Sequence, residues 1–286
     1  MTGGGSADPI RLTAGDATLE MRPADGGRLA SFRIAGRELL VTGRTDPMGW
    51  GCYPMVPFAG RVRNGRFSFD GRDYQLPLGL PPHAIHGVVY DRPWQVDDAT
   101  TLSVALGPPW PFAGRVIQRV SLEPGRLVLT LELHAAERMP ASLGWHPWFR
   151  RRLNLDTGTD SAVAEGAGAV SAEAELDLDA GSMYLRDADG IPTGTLVPVP
   201  PGPWDDCMTD LRAAPVVRWP GSLELELRAD VSEWVVYTEL PHAICVEPQT
   251  GPPDALNLRP VVVEPGQPLS ARMEWRWRSL EAAARG

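Results

Sequence analysis

The chain is 286 residues long, 43% apolar and 22% charged, a balance that suits a soluble globular core and argues against wholesale disorder. Its formal charge of −9 argues against a nucleic-acid surface, which needs a basic patch, so a small neutral or weakly charged ligand fits better. All 27 basic residues are Arg, which excludes a Schiff-base lysine, a pyridoxal-phosphate attachment point and a P-loop lysine.

In chain order, the first clear element is Phe67 to Tyr74, where Asp70-Gly71 sits between alternating apolar residues as the two-residue loop of a type I′ hairpin. From Arg115 to His134, Val116, Val120 and Leu122 lead into the turn Glu123-Pro124-Gly125-Arg126, and Leu127, Leu129, Leu131 and Leu133 alternate back out. The Ala-, Gly- and acid-rich stretch from Asp156 to Asp179 reads as a long surface loop or inserted hairpin, and Pro198 to Pro203 as a rigid connection. Period 2 returns in Ser222 to Arg228, Glu233 to Glu239 and Leu269 to Trp277. Many short strands, 30 Gly and 29 Pro at their joints and no βαβ alternation predict an all-β antiparallel sandwich or barrel, formed as one domain over 1–286. Without a fixed-period repeat, propellers and solenoids are disfavoured.

Cys52, Cys207 and Cys245 lie far apart and are odd in number, which suggests neither a disulfide framework nor a zinc cluster. Met1 to Ser6 lacks a basic stretch leading into an apolar core, and no run approaches the ~20 apolar residues of a membrane span. A cytoplasmic protein with no membrane partner is expected.

Three segments each join one proton-transfer group to turn-forming neighbours: Ala84-Ile85-His86-Gly87, Leu143 to Phe149 around His146, and Ile244 to Thr250 around Glu247. Each follows an apolar stretch and precedes Gly87, Pro147 or Pro248, which predicts polar side chains aimed into a cleft from strand ends. His146, between Trp145 and Trp148, is either a satisfied core histidine or a desolvated acid–base group against aromatic faces of the kind that sugars stack on. His86 has the same two readings, and His83 is a second ligand contact or loop surface. Glu247 follows the apolar Ala243-Ile244-Cys245-Val246, and a carboxylate there needs either a partner or a task as a general base. Asp205 and Asp206 are ligand contacts or a solvated turn, Arg61 and Arg63 are potential forks for ligand oxygens, and Arg150-Arg151-Arg152 is a phosphate site or a solvated face.

Taken in order, Arg61 through Asn64-Gly65-Arg66-Phe67 to Tyr74, Ile85-His86-Gly87, His146-Pro147-Trp148-Phe149 and Glu247-Pro248-Gln249 resemble the aldose 1-epimerase (galactose mutarotase) family over most of the chain. The resemblance implies a large antiparallel β-sandwich of the galactose mutarotase type. It implies Glu247 as base, His146 as acid, His86 as an oxygen-stabilising donor, and Arg61 with an Asp near Asp206 as substrate contacts. His83, Trp148 and Gln249 complete the expected sugar-binding lining. No metal or other cofactor is expected, the partner is a small-molecule sugar, and the assembly is a monomer or homodimer. Family members commonly carry an Asn before the Arg and a second Gly after His-Gly, where this chain has Gly60 and Val88.

The activity this implies is interconversion of the α and β anomers of a free aldose. Arg150 to Arg152 motivate a hexose-6-phosphate mutarotase as an alternative, and the aromatic wall a non-catalytic carbohydrate-binding protein. His86, His146 and Glu247 as a two-His, one-carboxylate metal centre is a third reading.

Overall fold

Leu127, Leu129, Leu131 and Leu133 are all buried while the residues between them are not, so the alternation seen in the sequence becomes one buried face of a strand. That strand, Arg126–Ala135, pairs with Gly114–Glu123 through Leu122↔Leu127 and Val116↔Leu133, closing the expected hairpin. A second expected hairpin forms between Arg66–Phe69 and Arg72–Gln75, and its loop residues Asp70 and Gly71 have φ of 49° and 73°, as a type I′ turn requires. This is a computed structural model, and it describes residues 8–153 and 172–280.

The described residues form antiparallel sheets, the two largest of eleven and eight strands. The larger one runs through Ala17–Arg22, Arg28–Ile34, Cys52–Met55, Gly144–Arg150, Ala243–Gln249, Glu233–Tyr237, Asp205–Leu211 and Ala180–Arg186. The other contains the Arg126–Ala135 hairpin beside Leu269–Ser279 and Leu223–Ala229. The sheets pack face to face: Phe32 and Phe149 of the larger sheet meet Trp275 of the other with ring centroids 5.5 and 5.1 Å apart. Trp145 Nε1 donates to Gln118 Oε1 across the same core at 3.1 Å, and Trp219 Nε1 donates to the carbonyl of Arg150 at 2.9 Å, so these buried indoles keep a partner. Burying each such aromatic contributes about 1.5–3 kcal/mol.

Of the segment Asp156 to Asp179, residues up to 171 lie outside the described residues. Its far end is sheet rather than loop, because Glu175–Asp177 pairs with Val216–Trp219. Helix is confined to Ala255–Leu258 and two three-residue 3-10 turns among the described residues. None of these helices is long and apolar enough to cross a membrane.

The strand-end placement of the two best proton-transfer candidates is corrected by the structure. His146 lies inside Gly144–Arg150 and Glu247 inside Ala243–Gln249, two adjacent strands in the middle of the larger sheet. These strands pair at Gly144↔Gln249 and again from Trp148↔Cys245, in a single register that brings His146 opposite Glu247. Pro147 and Pro248 lack ladder donors, so they open the pairing between those points without ending either strand. Alternation then sends Trp145, Phe149, Ile244 and Val246 into the main core, and His146, Trp148, Cys245, Glu247 and Gln249 to the opposite face.

Candidate active site

His146 Nε2 lies 3.3 Å from Glu247 Oε1, with side-chain exposures of 6% and 2%. The imidazole is held between two rings, stacked on Trp148 at 4.9 Å and 8° and on Tyr53 at 5.1 Å and 28°. Burial, with the carboxylate of Asp205 second, pushes Glu247 well above the ordinary carboxylate range, while Arg61 and a hydrogen bond from Gln249 oppose it. Burial, with neighbouring His86 second, pushes His146 well below the ordinary imidazole value. Both directions favour the neutral forms, a protonated Glu247 beside an unprotonated His146.

His86 meets His146 edge-on, with ring centroids 4.9 Å apart. Its backbone is in the left-handed region at φ 58°, followed by Gly87 at φ 79°, where a Cβ would lie 2.0 Å from the carbonyl oxygen of Val56. The turn is fixed by His86 N donating to Gly60 O at 3.0 Å and Val88 N donating to Val56 O at 2.8 Å. Burial and then the Arg61 cation push His86 down to about 3, so this side chain is a neutral imidazole. Arg61 in turn donates to Asp205 at 3.2 Å, and Arg186 approaches the same carboxylate oxygen at 3.2 Å. Gly60 itself stands at φ 68°, and a Cβ there would lie 2.8 Å from Pro253, so both the left-handed backbone and the close approach suit glycine.

His86 Nδ1, His146 Nδ1 and Gln249 Oε1 are buried and make no hydrogen bond among the described residues. Polar atoms in that condition are costly unless a ligand satisfies them. The face therefore gathers a carboxyl group, two neutral imidazoles and a guanidinium around buried polar atoms that lack a hydrogen-bonding partner among the described residues.

The aldose 1-epimerase family model matches residues 9–276. The chain belongs to the aldose 1-epimerase family. It is 32% identical over 148 residues to the uncharacterized protein YphB of Escherichia coli, covering 48% of this chain and 51% of that protein. It is 27% identical over 152 residues to galactose mutarotase of Rattus norvegicus, covering 49% of this chain and 40% of that protein. The chain thus spans about half the length, or less, of these curated relatives. A galactose mutarotase-like protein from Clostridium acetobutylicum superimposes with a TM-score of 0.76 at 15% identity, over 95% of each chain. The GalM/aldose epimerase homologue of C. elegans does so with a TM-score of 0.76 at 17% identity, over 96% of this chain and 99% of that one. These structural likenesses establish the fold.

Several residues expected in the lining of this aldose 1-epimerase family member are placed differently. His83 has no ring nitrogen left for a ligand: its Nδ1 accepts from Asn64 N at 3.1 Å and its Nε2 faces the carbonyl of Asp189 at 3.2 Å, so both are spent on backbone. Asp205, rather than Asp206, faces the site. Asp205 registers with Tyr237, which registers with Cys245, whereas Asp206 registers with Val236 and is held by Arg186 at 2.7 Å. Trp148 is present, but His146 covers one face of its ring. In the basic run, Arg150 donates to Leu40 O and Thr42 Oγ1, Arg151 to Leu240 O and Thr238 O, and Arg152 to Glu173. With Arg44 and His242 the run lines a cavity of ≈ 710 Å³ that includes neither His146 nor Glu247. Tyr53 and Arg186 are site residues that sequence reasoning did not find; Tyr53 sits in an unbroken apolar stretch with no polar signal beside it.

One donor atom each of His146, Cys245 and Glu247 falls within 4.8 Å of the others, and His86 is outside this group. A metal-bound imidazole normally donates its second N–H to an acceptor, yet His146 Nδ1 has none among the described residues. Burial, followed by Glu247, pushes the Cys245 thiol well up, so in the metal-free protein it is a protonated thiol. Without an acceptor on another residue to orient the His146 imidazole, this group does not fit a resident metal.

Proposed function

We propose that the protein interconverts the α and β anomers of a free aldose by acid–base ring opening and reclosure. The observation that carries this reading is the buried 3.3 Å contact between His146 Nε2 and Glu247 Oε1. Glu247 takes the proton of the C1 hydroxyl as His146 protonates the ring oxygen, the C1–O5 bond breaks, and the aldehyde forms. Rotation about C1–C2 and closure on the other face reverse both transfers.

This step starts from a carboxylate and an imidazolium, and burial favours the neutral pair. The two states hold the same single proton, so the active arrangement needs only its transfer from Glu247 to His146. A sugar hydroxyl donating to the carboxylate and a ring oxygen accepting from the imidazolium stabilise that arrangement. His86 and Arg61 supply donors for the developing aldehyde oxygen and neighbouring hydroxyls. Positioned acid and base groups supply on the order of 10²–10⁴ in rate each, enough for a reaction that also proceeds in water.

The test is polarimetry or proton NMR of freshly dissolved α-glucose and α-galactose, with chelator present. Faster equilibration with the wild-type protein and none with Glu247→Gln supports the reading. Sugar binding without any rate enhancement overturns it in favour of a carbohydrate-binding protein.

A further inference from the structure

A catalytic imidazole is usually fixed by a hydrogen bond from its second ring nitrogen, which selects both tautomer and orientation. His146 has no such bond to another residue: its Nδ1 is buried without a hydrogen-bonding partner among the described residues, and the polar group beside the ring is its own backbone. The terminal torsion of a histidine is broad and roughly two-fold, so something else must keep Nε2 turned toward Glu247. What remains is the pair of flanking rings, Trp148 and Tyr53.

Tyr53 is itself wholly buried, so it presents no surface to a ligand. Its hydroxyl donates to Met48 O at 3.1 Å, and its ring also meets His86 edge-on at 6.0 Å. Behind it lies Arg28, which is 1% exposed, with its guanidinium carbon 5.2 Å from the Tyr53 ring centroid and 4.3 Å from that of Trp50. No carboxylate lies within ion-pair distance of Arg28 among the described residues. Its donors go to four carbonyls: Asp25 O at 2.6 Å, Pro47 O at 2.8 Å, Trp50 O at 3.0 Å and Tyr90 O at 2.8 Å. Two of these acceptors flank Met48, so the same side chain that covers the Tyr53 ring also pins the loop that accepts its hydroxyl. A cation buried on carbonyls and aromatic rings, with no carboxylate to pair it, is an expensive way to fill core volume.

The geometry points to Arg28 as a positioning residue for the acid–base pair: it acts through Tyr53 to hold the His146 imidazole edge-on to Glu247. The inference rests on the proposed acid–base reading for its kinetic consequence, but the orientation of the ring can be read without turnover.

The variants are Tyr53→Leu, Tyr53→Phe and Arg28→Met, each checked for folding by circular dichroism. Tyr53→Leu lowers kcat about 10- to 100-fold with KM changed by less than about twofold, the size expected for a misplaced catalytic group. Tyr53→Phe keeps the ring and restores most of the rate, and Arg28→Met falls between the two. Nitrogen-15 NMR of the histidine side chains, with His146→Asn assigning the signals, shows one defined His146 tautomer in wild type and an averaged ring in Tyr53→Leu. If Arg28→Met does not fold, Arg28→Gln, which keeps a hydrogen-bonding head beside the same carbonyls, takes its place, and a folded Arg28 variant with wild-type kcat and unchanged His146 signals overturns the role of Arg28. A folded Tyr53→Leu with wild-type kcat and unchanged His146 signals overturns the inference. Altered His146 signals in a protein whose wild type does not mutarotate any sugar would instead overturn the proposed function and leave the positioning role standing.

Discussion

His146 and Glu247 face each other across two strands at the place where Pro147 and Pro248 open the ladder, with 3.3 Å between Nε2 and Oε1. Because both groups act on one proton, removing either removes the exchange. Glu247→Gln and His146→Asn are each expected to lower kcat about 10²–10⁴-fold. The double variant should fall little below the worse single one, since groups acting as a unit are not additive. Polarimetry on folded variants decides it, and a wild-type rate in either single variant defeats the assignment.

Acid stability isolates His86. Burial first and Arg61 second bring it down to about 3 from an ordinary 6.5. A folded value below the unfolded one means the unfolded chain takes up a proton that the folded protein resists. The stability contribution is therefore complete above pH 6.5 and is lost as pH falls toward 3. At about 1.4 kcal/mol per unit, this one group withdraws roughly 2–3 kcal/mol between pH 6.5 and 4.5. Relative to wild type, His86→Gln should gain about that much between pH 7 and 4.5, measured by urea midpoints. Parallel pH profiles for the two proteins would show that His86 is not desolvated.

What the sequence made legible, and what it hid, divides by the range of the interactions involved. The leucine alternation at Leu127 to Leu133 and the Asp70-Gly71 turn are local, and the structure follows them residue for residue. Glu247 and His146 were visible as polar groups in apolar surroundings, but their position was not, because a proline after a strand ordinarily marks its end. Here Pro147 and Pro248 lie inside paired strands, and the neighbouring strand Cys52–Met55 supplies the missing support for Gly144–Arg150. Choosing Asp205 over Asp206 needs the register with Glu233–Tyr237, and choosing His86 over His83 needs the partners Asn64 and Asp189. Tyr53 gains its significance only from contact with His146, about a hundred positions away, and Arg28 only from its contact with Tyr53.

Asp205 lies between Arg61 and Arg186, and its charge raises the proton affinity of Glu247. Asp205→Asn is expected to raise KM about tenfold, since a hydrogen bond to a charged group contributes about 1.5–3 kcal/mol. Asp206→Asn, on the other face of the strand, should change KM by less than about twofold. Steady-state kinetics on the same sugar compares them, and the reverse ranking would return Asp206 to the site.

His83 spends both nitrogens on backbone groups of two separate loops, at Asn64 and Asp189. His83→Ala leaves a donor and an acceptor unpaired at a cost of about 1–3 kcal/mol. The expected result is a lower Tm with kcat and KM within about twofold of wild type. A large rise in KM at unchanged Tm would place His83 in contact with substrate after all.

Two glycines with nearly equal φ separate backbone strain from damage to the site. Gly71 (φ 73°) has nothing within 4 Å of where a Cβ would lie, so Gly71→Ala carries only the left-handed penalty of about 1–2 kcal/mol. At Gly87 (φ 79°) the same methyl would fall 2.0 Å from Val56 O and 2.7 Å from Val56 N, both backbone atoms that cannot turn aside. The chain must shift there, and His86 shifts with it, because its own backbone shares that turn. Gly71→Ala should therefore lose stability but not kcat, whereas Gly87→Ala should lose both, with kcat down on the order of 10²-fold as expected for a displaced catalytic group. Thermal melts and polarimetry on both proteins make the comparison, and a fully active Gly87→Ala would mean that the position of His86 does not matter to the reaction.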